Sequence, residues 1–262
     1  MSPKARPTVQ AVERAIAILK AFSSEEPELG VGELSRRLNL PKSTVFRLLA
    51  TLEAGGLVAQ DPRTGRYRLG VDLIGLANNV IDYADLRRVA RPYLRQLAED
   101  VGETVSLSIL DGEDAVNLDQ YVPAHRFVMR AGWIGRRMPA HAVSVGKVLV
   151  AFLPEEQVEA FLQTHRPTFT SHTITDPAAL RAELAQVRAQ GYATAFEELE
   201  EGLHAVSAPV RNHEGDVVAA ISVSGPGYRL TRERVAAMLP RVVETAQLIS
   251  REMGAPAEEE RG

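Results

Sequence analysis

Residues Val31 to Gly70 read V-G-E-L-S-R-R-L-N-L-P-K-S-T-V-F-R-L-L-A-T-L-E-A-G-G-L-V-A-Q-D-P-R-T-G-R-Y-R-L-G, a stretch that leaves few folds open. Leu34 and Leu38 lie one helical turn apart, and a second apolar set, Val45, Leu48, Leu49 and Leu52, begins after Asn39-Leu40-Pro41. At these spacings each set lines one face of a helix, so two short amphipathic helices share one core across a tight break. Pro41 suits the first turn of the second helix, where its missing N–H has no partner and its φ is already helical. Gly55-Gly56 ends that helix, because glycine accepts the backbone that closes one. Leu57 to Gln60 and Arg66 to Leu69, joined by Asp61-Pro62-Arg63-Thr64-Gly65, then read as strand, turn and strand. Helix, break, helix and β-hairpin in that order describe a winged helix-turn-helix.

The residues left outside this core suit a duplex. With Val45, Leu48, Leu49 and Leu52 facing inward, Lys42, Ser43, Thr44 and Arg47 lie on the outer face at the start of the second helix. That end of a recognition helix is the one that enters a major groove, so short hydroxyls and long cations meet base edges and phosphates. Arg36 and Pro41 complete the candidate set on the helices, and the hairpin adds Arg63, Arg66 and Arg68 for the backbone or the minor groove. The net charge of -4 argues against nucleic acid only until it is divided. Residues 1–70 hold eleven Lys and Arg against seven Asp and Glu, a formal +4, which leaves -8 for the remainder. A basic head on an acidic body concentrates phosphate attraction at one end.

The other bounds are simple. The 262 residues suit one small and one medium domain. With no cysteine, disulfides, thiolate nucleophiles and cysteine-based zinc sites are excluded. The start, Met1-Ser2-Pro3-Lys4-Ala5-Arg6, lacks the apolar run of a signal peptide, and no stretch reaches membrane-spanning length, so the expected address is the cytoplasm, with no membrane partner. Residues 1–8 are expected to form a disordered arm and 9–70 the winged helix-turn-helix, opened by a supporting helix over Val9 to Phe22. Ser23 to Gly30 reads as a solvated loop without a function of its own. Residues 71–87 read as a linker helix that also makes a dimer contact, 88–253 as a second domain, and 254–262 as a frayed acidic tail.

In the body the apolar period changes to two. Val105, Leu107 and Ile109 alternate with Thr104, Ser106 and Ser108, and Asp111-Gly112 turns the chain into Ala115 to Asp119. A third strand is expected over Arg126 to Arg130, then a loop over Gly132 to Pro139. Helices follow over Ser144 to Phe152 and Glu155 to Gln163, and over Ala178 to Gln190, the last with Asp176-Pro177 as cap and first turn and Gly191 as stop. Strands over Tyr192 to Phe196, Ala205 to Arg211 and Val217 to Ser224 precede a final helix capped by Thr231. Strands grouped in hairpins with helices between the groups give an α+β domain with a mostly antiparallel sheet.

Over roughly Gln10 to Met253 the chain resembles the IclR family of bacterial transcriptional regulators. The head carries V-E-R-A-I-A-I-L, L-P-K-S-T-V-F-R-L-L-A-T-L and D-P-R-T-G-R-Y-R-L-G; the body carries M-P-A-H-A-V-S-V-G-K-V-L-V-A at Met138 to Ala151, G-Y-A-T-A-F-E-E-L-E-E-G-L at Gly191 to Leu203 and A-A-I-S-V-S-G-P at Ala219 to Pro226. The resemblance implies a GAF-like effector domain that binds a small organic or aromatic acid, with a homodimer or homotetramer acting on a double-stranded DNA operator. It implies an effector site at Ser144, Val145, Ala195, Ala205, Ser222 and Ser224. Ser222 and Ser224 share strand parity, so both hydroxyls face one side, and the start of the helix after Ala142 adds backbone N–H groups. Ala195 and Ala205 stand where acid-sensing members carry larger or polar groups, which favours a bulkier, more apolar effector, with Trp133 and Met138 as walls.

Two other classes compete. One is a metabolic enzyme with an appended DNA-binding domain. The histidines do not form H-x-x-x-H or H-E-x-x-H on a helix, although His141, His172 or His204 could meet Glu197 or Glu198 in three dimensions as a metal site. Gly146-Lys147 lacks the spacing of a phosphate loop, and Glu197-Glu198-Leu199-Glu200-Glu201 reads more simply as a solvated turn than as paired acid and base. The other class, a purely architectural DNA binder, leaves the large acidic body without a purpose. The reading is therefore a regulator with no catalytic residue, resident metal or cofactor.

Overall fold

The computed structural model of the protein describes residues 9–23, 25–78, 81–123 and 134–256. The chain divides into two compact units, Met1–Ile81 and Asp82–Gly262. The expected arm at 1–8, the strand expected over Arg126 to Arg130 and Trp133 lie outside the described residues.

The head is built from α1 (Gln10–Lys20), α2 (Val31–Arg37), α3 (Lys42–Ala54), β1 (Val58–Gln60), β2 (Tyr67–Leu69) and α4 (Asp72–Asn78). Ile18, Leu34, Val45, Leu49, Val58 and Tyr67 close its core, so the periodicity that defines the helices also packs them. Asn39 makes the break between α2 and α3 at φ 51°, a left-handed position that asparagine tolerates. Pro41 caps α3 from one position outside the first turn where its sequence placed it. Antiparallel β1 and β2 form the wing. Gly70 lets the chain leave the wing against the end of α3, because a Cβ there would stand 1.9 Å from the Gly56 carbonyl oxygen. The segment before α2 is more than a solvated loop. Leu29 exchanges two backbone hydrogen bonds of 2.9 Å with Tyr67 and so adds a third backbone to the wing.

The boundary expected between residues 87 and 88 falls inside a helix, because α5 runs without interruption over Ile81–Val101. The body then forms one antiparallel sheet in the order β5-β4-β3-β8-β7-β6. Its strands are β3 (Thr104–Asp111), β4 (Asp114–Tyr121), β5 (Arg137–Pro139), β6 (Ala193–Phe196), β7 (Leu203–Arg211) and β8 (Val217–Pro226). The segment expected to be loop up to Pro139 therefore ends as an edge strand, because Arg137 to Pro139 pair with β4. Four helices complete the unit: α6 (Ser144–Ala151), α7 (Glu155–Leu162), α8 (Pro177–Gln190) and α9 (Arg232–Glu252). The Asp176 and Thr231 side chains cap α8 and α9 as their positions imply, and Gly191 ends α8 at φ 79°.

The period of two sorts the body into layers. Val105 and Leu107 of β3, Ile221 and Val223 of β8, and Val206 and Val210 of β7 pack under α5 and α9. Their neighbours on the opposite face are small or polar, and α6, α7 and α8 cover only part of it. A gap of small hydroxyl-bearing side chains thus opens beside the first turn of α6.

Candidate nucleic-acid interface and ligand cavity

On α3 the residues Val45, Leu49 and Leu52 are buried, which turns Lys42, Ser43 and Arg47 to solvent; Thr44 is half-buried at the margin. Phe46, which the pattern of inward leucines left unassigned, shares the exposed face. Arg36 and Pro41 are also exposed, as are Arg63 and Arg68 on the wing. Among the described residues, the side chains of Lys42, Arg47, Arg63 and Arg68 have no ion pair or hydrogen bond.

Arg66 differs. Its guanidinium donates to the Glu28 carbonyl and to Glu33, both at 2.9 Å. The same Glu33 carboxylate accepts the Gly30 amide at 2.7 Å, capping α2, and that bond is the main reason its pKa lies below the usual carboxylate value. The site residue Arg66 is thus turned toward the head's own frame, where it fastens the wing to the start of α2. Sequence spacing alone could not separate it from Arg63 and Arg68, since the choice depends on a carboxylate remote in the chain.

The cavity in the body has a volume of about 410 Å3. Two cross-strand rows make its floor. Thr104, Ser224, Ala205 and Ala195 lie in register across β3, β8, β7 and β6. Gln120, Ser106 and Ser222 form the next row across β4, β3 and β8, and the row continues to Ser207 of β7, which is buried outside the cavity lining. Met138 and the start of α6, at Val143 to Val145, form one wall, and residues 198–203 form another. Ser144, Val145, Met138, Ala195, Ala205, Ser222 and Ser224 thus line one cavity. The two alanines open space, but Thr104, Ser106 and Gln120 make the floor more polar than Ala195 and Ala205 alone suggest. Thr104 and Ser106 were readable as pocket residues from the alternation of β3, whereas Gln120 of β4 joins them only through a register that the chain itself does not display.

The first turn of α6 faces this space. Lys147 is the first amide to bond back, to the Val143 carbonyl at 3.0 Å. The amides of Ser144, Val145 and Gly146 stand ahead of that ladder, at the positive end of the helix. The Ser144 hydroxyl meets the Ser207 hydroxyl at 2.7 Å and ties the helix to the floor. Gly146 explains the G-K pair in structural terms, since a Cβ there would stand 2.3 Å from the Ala140 backbone.

Lys147 holds the second wall in place. It is 1% exposed, and its Nζ lies 2.8 Å from both Glu183 of α8 and Glu198. The acidic run from Glu197 is therefore not a simple solvated turn, because Glu198 is buried. Burial pushes the Glu198 pKa above its usual value against the opposing pull of Lys147. Near the mouth, Arg229 donates to both oxygens of buried Glu103, at 2.6 and 2.7 Å. Arg234 binds the same carboxylate at 3.1 Å and the Val101 carbonyl at 2.7 Å. Glu103 so connects a cavity wall to the end of α5.

The histidines have other roles. His141 meets the Pro167 carbonyl at 3.0 Å, and burial holds its pKa below the usual value. His204 meets the Leu230 carbonyl at 2.8 Å, and His172 stands 3.6 Å from Glu197. Among the described residues no three metal-binding side chains cluster, and no helix is long and apolar enough to cross a membrane.

Comparison with known proteins matches both units. Residues 11–62 match the model described as IclR helix-turn-helix domain, and residues 78–251 that described as Bacterial transcriptional regulator IclR C-terminal. The chain is 38% identical to the HTH-type transcriptional regulator XynR of Escherichia coli K12, over 96% of this chain and 100% of that protein. It is 38% identical to the HTH-type transcriptional repressor AllR of Klebsiella pneumoniae, over 96% and 93%. Among solved structures it is similar to an IclR homolog from Microbacterium hydrocarbonoxydans complexed with 4-hydroxybenzoate. That similarity has a TM-score of 0.80 and 28% identity over 93% of this chain and 99% of the other.

Proposed function

The chain belongs to the IclR family of bacterial transcriptional regulators, and on that premise we propose which residues carry its two binding activities. Its head is a helix-turn-helix DNA-binding domain and its body an effector-binding domain. Lys42, Ser43, Thr44 and Arg47 read base edges and phosphates in the major groove, with Arg36 and Pro41 at the margin of that contact. Arg63 and Arg68 hold the flanking backbone. Arg66 serves the contact indirectly, by fixing the wing. The observation that carries this assignment is the division of the cations: Arg37 and Arg66 are paired within the head, whereas Lys42, Arg47, Arg63 and Arg68 are left to solvent. A free cation supplies the salt-dependent phosphate attraction that DNA binding requires.

In the same reading the cavity takes a small organic acid with an aromatic or similarly bulky body. Ser222, Ser224 and the leading amides of α6 meet its carboxylate, and Met138, Val145, Ala195 and Ala205 shape the space around the rest. The similar protein holding 4-hydroxybenzoate supports an aromatic acid of that size. Binding rather than turnover is the body's task, since Glu198 is engaged by Lys147 and Glu197 caps the Gly202 amide at 2.8 Å. The protein acts in the cytoplasm as a homodimer or homotetramer whose two recognition helices meet a pseudo-palindromic operator. Closure of the cavity on its ligand moves Arg229, and through Glu103 the end of α5, the helix that leads back toward the head. A ligand shifts operator affinity only by its differential affinity for the two arrangements.

A mobility-shift titration of the flanking intergenic DNA, with and without 4-hydroxybenzoate, tests the whole reading. Arg47→Ala is expected to weaken binding by about 1–3 kcal/mol. Unchanged binding would remove Arg47 from the contact set, and indifference to every aromatic and short-chain acid tried would remove the assigned effector class.

A further inference from the structure

Phe46 sits in the middle of the exposed face of α3, yet the assignment above gives it nothing to do. It is 56% exposed although its neighbour Val45 is fully buried, so the head's core is complete without it. On the helix it follows Ser43 by three residues and Lys42 by four, and precedes Ala50 by four, so its ring shares one surface with a hydroxyl, a cation and a small apolar side chain. Arg47, also exposed, adjoins it. Two free cations flank the ring, which brings phosphates to both of its sides and leaves the ring facing what lies between them. In a major groove the group between phosphates that offers carbon to an apolar ring is the 5-methyl of thymine, since the other base edges there present hydrogen-bond donors and acceptors.

We propose that Phe46 reads a thymine, packing its ring on the 5-methyl group at one position of each half-site, so that operator choice includes an apolar contact beside the polar ones. This rests on the assignment of α3 to the major groove. Phenylalanine is suited to the task because it has only two side-chain torsions to fix, and its large ring face covers a methyl from water.

The test uses the full chain and a pool of random duplex DNA. Selection by the wild-type protein defines its site, and each thymine of that site is then replaced by deoxyuridine, which lacks only the methyl. The expected result is one position per half-site at which uracil weakens wild-type binding about fourfold, the affinity equivalent of one buried methyl-sized group. Phe46→Ala is expected to bind the thymine and uracil duplexes alike, and Phe46→Leu to recover part of the preference. Thermal unfolding of both variants should match wild type, because the ring lies outside the core. Equal sensitivity to uracil in wild type and Phe46→Ala would overturn the proposal while leaving DNA binding by α3 intact. A change of oligomeric state in Phe46→Ala with its uracil sensitivity retained would overturn it in favour of a contact between copies. Failure of the wild-type chain to enrich any duplex would instead bring down the reading of the head itself, and the proposal with it.

Discussion

Replacing Lys147 by methionine should destabilise the body in a way that depends on pH. Methionine keeps most of the buried stem and removes the ammonium that lies 2.8 Å from both Glu198 and Glu183. Glu183 can turn toward water, but Glu198 is buried and becomes an uncompensated charge. Breaking a buried pair from one side costs about 3–5 kcal/mol when the remaining charge persists. Protonation offers Glu198 a second route. A carboxyl with an ordinary pKa of 4.5 costs roughly 3.4 kcal/mol to protonate at pH 7, at 1.36 kcal/mol per unit. The deficit at pH 7 should therefore be about 3 kcal/mol, near the cheaper of the two routes, or a fall of roughly 6–12 °C in the body's melting temperature. Burial already raises the Glu198 pKa, and loss of Lys147 raises it further. A carboxyl raised in the folded state contributes stability that is fully present below its unfolded value and is lost as pH rises through its folded value. The gap between variant and wild type should accordingly be small near pH 4.5 and widen toward pH 7. Calorimetric melting across that range, with Lys147→Met/Glu198→Gln alongside, measures it. The double variant should regain most of the lost stability at pH 7, because no buried charge remains. A deficit of equal size at both ends of the range, or a double variant no better than the single one, would refute the argument that a stranded carboxylate is the cause.

Three further outcomes follow from the same geometry. Ala195→Leu places extra carbons on the cavity floor and should weaken 4-hydroxybenzoate binding by at least tenfold, on the order of 1.4 kcal/mol by titration calorimetry, while the ligand-free protein retains its operator affinity. His141→Gln should flatten the acid limb of the stability curve. Burial disfavours the protonated imidazole and lowers its pKa in the folded state, so folding loses stability as pH falls below the ordinary value of 6.5, and melts at successive pH values should show a smaller loss in the variant. Gly146→Ala forces a methyl to 2.3 Å from the Ala140 backbone and should lower stability by about 1–3 kcal/mol in a denaturant titration, with effector binding weakened by the displaced helix start.

The legible parts of this chain were those set by local periodicity and backbone chemistry. Spacing of 3.6 gave the head's helices, spacing of two gave the sheet's faces, and Asp176, Gly191 and Thr231 marked helix ends through hydrogen bonds confined to a few residues. The same alternation showed that Ser222 and Ser224 share a side, and the family resemblance supplied the rest of the effector set. Where the reading went astray, the deciding partner was distant in sequence. Leu29 looked solvated until Tyr67 paired with it 38 positions later. Glu198 looked like part of a solvated acidic run, but Lys147, 51 residues away, draws it inside. Arg66 resembled its wing neighbours until Glu33 claimed it, and Phe46 went unnoticed because a pattern of buried positions has no place for an aromatic ring left outside.

Order along the chain determined the architecture, a basic helix-turn-helix ahead of an acidic α+β body, because helix and strand periods are properties of neighbours. Only the tertiary structure decided which cations remain free for phosphate, which glutamate is buried, and which hydroxyls share a cavity. Those outcomes depend on register between strands and on charges that meet across tens of residues, and neither is written in the spacing of any one segment.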